Sequence, residues 1–74
     1  MLLSQRVMST PEIGQIIKQR RKEKGVTQTT LAQFSGVSTH FLSDLENGKA
    51  SCEVSKVLEV LSMLGLNIII ESRG

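Results

Sequence analysis

Apolar residues recur every three or four positions through most of the chain, and a glycine follows each of these runs. The spacing is typical of helices with one buried face, and glycine commonly follows a helix because it adopts left-handed backbone angles without strain. The pattern therefore predicts four helices. The glycines that close them are Gly25, Gly36, Gly48 and Gly65.

Capping residues set the expected bounds of these helices, since serine and threonine accept hydrogen bonds from the first free N–H groups. The first helix should begin near residues 9–11, where Ser9 and Glu12 have the spacing of a capping box. The second and third are predicted at Gln28–Phe34 and Thr39–Glu46. The fourth should start after Ser51 and end at Leu64. Its expected core stripe is Val54, Val57, Leu58 and Leu61, widened by Val60 and Leu64.

The segment after Gly65 differs, because three β-branched isoleucines follow one another there. This composition favours a short strand. The strand residues are Leu66, Asn67, Ile68, Ile69, Ile70 and Glu71. A lone strand leaves its backbone groups without partners, so we expect a second subunit to pair with it, antiparallel about a two-fold axis. Two alternatives are pairing with residues 2–7 and an apolar tail folded over its own core.

Composition bounds the classes of protein that fit. A chain of 74 residues forms one small domain, and such domains often gain stability by forming oligomers. No apolar run approaches the roughly 20 residues that span a membrane, and the opening segment is too short and polar for a secretory signal. We therefore expect a cytoplasmic protein. The single cysteine, Cys52, is expected to be a half-buried filler, with a reactive thiol as the alternative.

Neither metal ligation nor catalysis is indicated. No Cys/His spacing suggests zinc, His40 has no partner at metal-ligand spacing, and the acidic residues include no acid/base pair. We expect no cofactor, no metal and no enzyme activity. Net charge is only +2, yet five of the nine basic residues fall within residues 18–24. Such a run is either a solvated helix face or part of a nucleic-acid footprint, and a nearby reading element would favour the second.

The segment QTTLAQFSGVSTHFLSDLEN, residues 28–47, supplies that element because it matches the helix-turn-helix template over its whole length. Small Ala32 suits a close crossing of the two helices, and Gly36 occupies the turn, where a positive φ is needed. The apolar positions that join the helices are Leu31, Val37, Leu42 and Leu45. The chain is thus predicted to bind DNA with the third helix in the major groove.

The residues around this motif closely resemble the Cro/C1-type (XRE) repressors, including the T-Q start and the L-E-N-G-K exit. FLSDLENGKASCEVSKVLEVLSMLGLNIII resembles the HipB-type branch, in which a fourth helix leads into a C-terminal strand. The resemblance covers about residues 12–71. It implies an all-α, lambda-repressor-like domain at 9–65 with a dimerisation strand at 66–71, between flexible ends at 1–8 and 72–74.

For function, the resemblance implies a homodimeric antitoxin and autorepressor that binds operator DNA and a HipA-like kinase toxin. Two alternatives are a stand-alone or phage-type repressor, and a toxin-neutralising protein whose DNA binding is residual. Hydroxyl and imidazole groups at the start of the third helix can reach base edges. The expected base contacts are Ser38, Thr39, His40 and Ser43.

Further roles follow from helix ends and from the resemblance. Thr27 and Lys49 are expected to contact phosphates, at the start of the second helix and just past the third. The resemblance assigns Gln28 to the DNA backbone and Asp44 to the groove. An anionic Asp44 would repel phosphate unless it accepts from a cytosine amino group or a neighbouring lysine. The resemblance also pairs Arg21 with Glu46, the alternative being two independently solvated charges.

Overall fold

The structure is a computed structural model that describes residues 6–7, 9–49 and 53–74. Within these residues the chain forms four helices in the predicted order. They are α1 (Thr10–Glu23), α2 (Gln28–Ser35), α3 (Thr39–Glu46) and α4 (Val54–Met63). The bounds of α3 agree with the prediction, and α2 extends one residue further than expected. The fourth helix begins at Val54, two residues later than predicted, and ends one residue earlier, at Met63. Ser51 and Cys52, with the interpretation of that cysteine, lie outside the described residues.

Side-chain caps fix the start of both helices in the central pair. The hydroxyl of Thr27 accepts from the backbone N–H of Thr30 at 3.1 Å, and Ser38 Oγ accepts from the N–H of Phe41 at 2.9 Å. Gly36 joins the two helices with a φ of 70°, a left-handed angle that a larger residue would hold only with strain. These local features fix where α2 ends and where α3 begins.

All four helices contribute to a single aliphatic core. Its buried members are Ile17 from α1, Leu31 and Ala32 from α2, Leu42 and Leu45 from α3, and Val60, Leu61 and Leu64 at the end of α4. Phe41, Val37 and Val57 pack against this core from its edge. Phe41 therefore packs against the domain, and Lys56 of α4 lies 5.5 Å from the centre of its ring.

A close backbone approach joins α1 to the end of α3. A Cβ atom at Gly14 would lie 2.2 Å from the carbonyl oxygen of Leu45 and 2.9 Å from that of Glu46. Glycine inside a helix destabilises it by about 1 kcal/mol relative to alanine. The close packing of α1 on α3, for which only glycine leaves room, offsets this cost. α1 thereby sits directly against the helix that carries the predicted base contacts.

The predicted core stripe of the fourth helix is confirmed at its later positions, Leu61 and Leu64, and was wrong at Val54 and Leu58. Val54 and Leu58 are 62% and 44% exposed, whereas the buried face carries Val60, Leu61 and Leu64. At roughly 100° per residue, the buried face is rotated by about 60° from the predicted one. The reason is tertiary: α4 packs against α2 along the line of its later residues, which leaves Val54 and Leu58 at the surface.

The described residues contain no strand, and the segment after α4 runs on without regular structure. Leu66 packs partly against the core, but Ile68, Ile69 and Ile70 are 50%, 74% and 93% exposed. The alternative in which these isoleucines fold over their own core is therefore wrong. Residues 2–5 of the alternative N-terminal strand lie outside the described part. Strand pairing between two subunits stays a prediction, because a ladder needs a second strand.

Candidate DNA-binding surface

The outer face of α3 carries the side chains that were predicted to contact bases. Ser38, Thr39 and His40 are exposed, and Ser43 lies one turn after Thr39 with part of its surface open. On the opposite side of the helix, Leu42 and Leu45 are buried in the core. Spacings of one and four residues place Thr39, His40 and Ser43 within an arc of about 100°. α3 thus presents a polar edge on a helix that is held rigidly from behind.

The hydroxyl groups of the two capping residues are already engaged within the domain. Ser38 Oγ accepts from the helix, which leaves its proton free to be donated outward. Thr27 both accepts from the Thr30 N–H and donates to the Thr30 hydroxyl at 3.0 Å. Because its hydroxyl is engaged, Thr27 contributes to a phosphate contact mainly by opening α2, whose first backbone N–H groups are free to donate.

A buried carboxylate behind this surface joins three helices. Glu46 has a side chain only 1% exposed, and it accepts from Arg21 Nε at 2.7 Å and from Arg21 Nη2 at 3.0 Å. Gln28 Nε2 donates to the same carboxylate at 3.0 Å, and Arg21 Nη1 donates to the Val26 carbonyl at 2.9 Å. The hydrogen bonds from Arg21 to Glu46 raise the pKa of the guanidinium, and their effect exceeds that of its burial, which lowers the pKa.

The hydrogen bonds to Glu46 define the roles of two predicted residues, Arg21 and Gln28. The structure contains the Arg21–Glu46 ion pair that the resemblance implied, and it has little exposed surface. Gln28 braces the end of α3 through one amide hydrogen, and the second hydrogen on Nε2 is the one left to donate to a phosphate. Gln28 and Arg21 therefore position α3 against α1 and the start of α2.

The basic run at residues 18–24 has two different parts. Arg21 is held by Glu46, and Arg20 donates from Nε to the Leu64 carbonyl at 3.0 Å, where α4 ends. Lys22 and Lys24 are exposed. Neither interpretation of the run describes it fully, since its arginines hold the fold together and its exposed lysines remain available for phosphates. The role of Arg20 was not predicted, although its helical spacing with Ile13 and Ile17 was the available signal.

Asp44 lies between the imidazole of His40 and the ammonium group of Lys49 on the exposed side of α3. Its Oδ2 lies 3.3 Å from His40 Nε2, and its Oδ1 lies 3.4 Å from Lys49 Nζ. The backbone also closes this unit, because the Lys49 N–H donates to the Asp44 carbonyl at 3.0 Å. The structure therefore supplies the neighbouring lysine that an anionic group on a DNA-reading helix requires.

Two classes of feature are absent from the described part of the chain. No three side chains among His, Cys, Asp and Glu come together there as a metal site. No helix in the same residues is long and apolar enough to cross a membrane.

Comparison with known proteins agrees with this geometry. Residues 12–68 match the family described as "Helix-turn-helix domain". The chain belongs to this family. An HTH-type transcriptional regulator of Sinorhizobium fredii, y4mF, is 38% identical over 72 residues, which cover 97% of this chain and 95% of the relative. The immunity repressor protein of Bacillus phage phi105 is 34% identical over 56 residues, covering 76% of this chain but only 39% of the repressor.

Among solved structures, a chain of the HipA–HipB–O2–O3 complex has a similar fold, with a TM-score of 0.83. The match covers 96% of this chain and all of that chain, at 22% identity. This likeness supports the all-α helix-turn-helix fold over nearly the whole length. Together with the family match, it makes the α2–α3 pair the helix-turn-helix of a family whose relatives include an HTH-type transcriptional regulator.

Proposed function

We propose that this regulator is a homodimeric, sequence-specific repressor that serves as the antitoxin and autorepressor of a HipBA-like toxin–antitoxin module. The observation that carries the DNA-reading part is the outer face of α3. Thr39, His40 and Ser43 share one open edge, while the Glu46 cluster and the aliphatic core hold the helix from behind. Side chains on such a fixed helix reach base edges without first ordering the backbone, so each good contact adds about 1–3 kcal/mol of discrimination.

Affinity without sequence information would come from the phosphates. The expected contacts are the free N–H groups at the start of α2, the second amide hydrogen of Gln28, and Lys49. Each phosphate neutralised by a cation makes log K fall by about 0.9 per unit of log salt concentration. Binding to any duplex should therefore weaken with salt, while preference for the operator depends on α3.

The dimer is supported by apolar surface that one subunit leaves uncovered. Val54 and Leu58 on α4 are exposed, as are the three isoleucines of the tail. Pairing of residues 66–71 with the same segment of a second copy, antiparallel about a two-fold axis, would satisfy their backbone groups. The two α3 helices would then enter successive major grooves about 34 Å apart on a palindromic operator.

The antitoxin role is supported by the sequence resemblance to the HipB-type branch and by a likeness in fold that includes the tail. We expect a HipA-like kinase toxin as the protein partner. The phage-type alternative, a repressor without a toxin, is favoured by the relationship to the phi105 immunity repressor. The gene next to this one distinguishes them. Co-purification of a kinase encoded there, with relief of its toxicity, supports the antitoxin, and a neighbour without kinase motifs supports the phage-type repressor.

The dimeric repressor has its own experiment. Operators are selected from randomised duplexes and footprinted, and the mass of the protein is measured by light scattering. We expect two half-sites one helical turn apart, and a monomer after Ile69→Pro or after deletion of residues 66–74. A single unpaired half-site, or a dimer that survives both changes, would contradict the proposed assembly.

A further inference from the structure

The unit formed by His40, Asp44 and Lys49 has a consequence beyond base reading. Asp44 is one third exposed, whereas the His40 and Lys49 side chains are 86% and 68% exposed. All three thus face solvent on the side of α3 that carries Thr39 and Ser43. The only anionic side chain of α3 that is open to solvent stands between the two groups best suited to meet phosphate or guanine there, since Glu46 is buried.

The pairing opposes binding to a duplex of arbitrary sequence. Before Lys49 can bind a phosphate it must leave Asp44, and the released carboxylate then faces the polyanion. A neutral His40 can donate a hydrogen bond to Asp44 and a charged one can form an ion pair with it, so both forms are held in place. An exposed ion pair is worth roughly 0.2–1 kcal/mol, and each 1.4 kcal/mol is tenfold in affinity.

An operator can offset the repulsion between Asp44 and DNA because its bases carry hydrogen-bond donors, which phosphates lack. A carboxylate on a reading helix accepts from base amino groups, and in the major groove these are N4 of cytosine and N6 of adenine. Where such a group lies opposite Asp44, the carboxylate gains a new donor as Lys49 moves to a phosphate. At any other site, it faces the groove with no donor.

We propose that Asp44 is a discrimination residue of the reading surface. It weakens binding to non-specific DNA by holding Lys49 and His40, and it favours operators that present a base amino group to its carboxylate. The second half rests on the proposed function, because it requires a preferred operator. The first half does not, since it concerns any duplex.

The test compares Asp44→Asn with Glu59→Gln. Both variants remove one negative charge, but Glu59 lies exposed on α4 and makes no ion pair with a basic residue of the reading surface. Dissociation constants are measured by fluorescence anisotropy over a salt series, for the selected operator and for a duplex of scrambled sequence. Asp44→Asn combined with Lys49→Ala is the third variant, and circular dichroism checks that each one folds.

We expect Asp44→Asn, which releases both the His40 pair and the Lys49 pair, to bind the scrambled duplex about 2- to 25-fold more tightly than wild type. Its salt slope should steepen by about 0.9, the value for one added phosphate contact. The gain should vanish in the double variant, and Glu59→Gln should change affinity by less than about twofold because its charge is screened by salt. A selection repeated with Asp44→Ala, which removes both acceptor oxygens, should lose the preference for cytosine or adenine at one position of each half-site.

Two results would overturn the proposal. One is a scrambled-duplex affinity that Asp44→Asn and Glu59→Gln raise equally, since this would be an effect of net charge. The other is a base preference that Asp44→Ala leaves unchanged at every position. Failure of the proposed function looks different: wild type would then show no preferred operator at all, while the effect of Asp44→Asn on the scrambled duplex could still be scored.

Discussion

Removing Arg21 from the Glu46 cluster should destabilise the domain severely. Arg21→Met keeps much of the side-chain length but leaves a carboxylate that is 1% exposed with only Gln28 as a donor. Breaking a buried ion pair from one side costs about 3–5 kcal/mol, against about 0–1 kcal/mol for an exposed pair. Small domains have total stabilities of about 5–15 kcal/mol, so this one change should remove a large share.

The assay is urea unfolding followed by circular dichroism at a fixed protein concentration, because a dimer's stability depends on concentration. Arg21→Met, Glu46→Gln and the double variant form a cycle, and Glu23→Gln, which removes the exposed Arg20–Glu23 pair, is the control. In a domain of this size 1 kcal/mol corresponds to roughly 4–8 °C, so Arg21→Met should lower Tm by at least about 12 °C. The double variant should recover part of that loss, since no buried charge remains unpaired.

A loss below about 1 kcal/mol for Arg21→Met, equal to that of Glu23→Gln, would refute this reasoning. It would mean that the guanidinium and the carboxylate are solvated independently. An additive cycle would have the same meaning, because residues in one hydrogen-bonded network couple by about 0.5–3 kcal/mol.

Three further predictions concern packing and caps. Gly14→Ala should destabilise by about 1–3 kcal/mol in urea unfolding despite its better helix propensity, because its Cβ would lie 2.2 Å from the Leu45 oxygen; a more stable variant would contradict that contact. Leu61→Ala should lower the free energy of unfolding by about 2–5 kcal/mol, whereas Leu58→Ala, measured in protein truncated after residue 65, should lower it by less than about 1 kcal/mol. Equal losses would mean that Leu58 is buried as the sequence predicted. Ser38→Ala should cost about 1 kcal/mol through the lost cap, with Ser38→Asp retaining stability, and an unchanged Ser38→Ala would refute the cap.

The parts of the fold that depend on neighbouring residues could be predicted from the sequence. Thr27, Ser38 and Gly36 act on the backbone within a few positions, and the ends of α2 and α3 were placed to within one residue. The rotation of α4 could not be predicted in this way. Its apolar positions cover more than half of the helix surface, and only contact with α2 selects the line through Leu61 and Leu64.

The site shows the same division. The exposed edge at Thr39 and His40 follows from the motif, because the same helix must bury its leucines. The inward arginines do not follow from a run of basic residues, since the partner of Arg21 is 25 positions further along the chain. Pairing of residues 66–71 cannot be seen in a single copy of the chain, because the proposed second strand belongs to another copy.

In the proposed function, the polar edge of α3 formed by Thr39, His40 and Ser43 reads the operator. The direct measurement is the affinity of the variant with Thr39, His40 and Ser43 all changed to alanine, for the selected operator and for a scrambled duplex. We expect the operator affinity of this variant to fall to that of the scrambled duplex, while weak, salt-sensitive binding to both duplexes remains. An operator preference equal to that of wild type would contradict it.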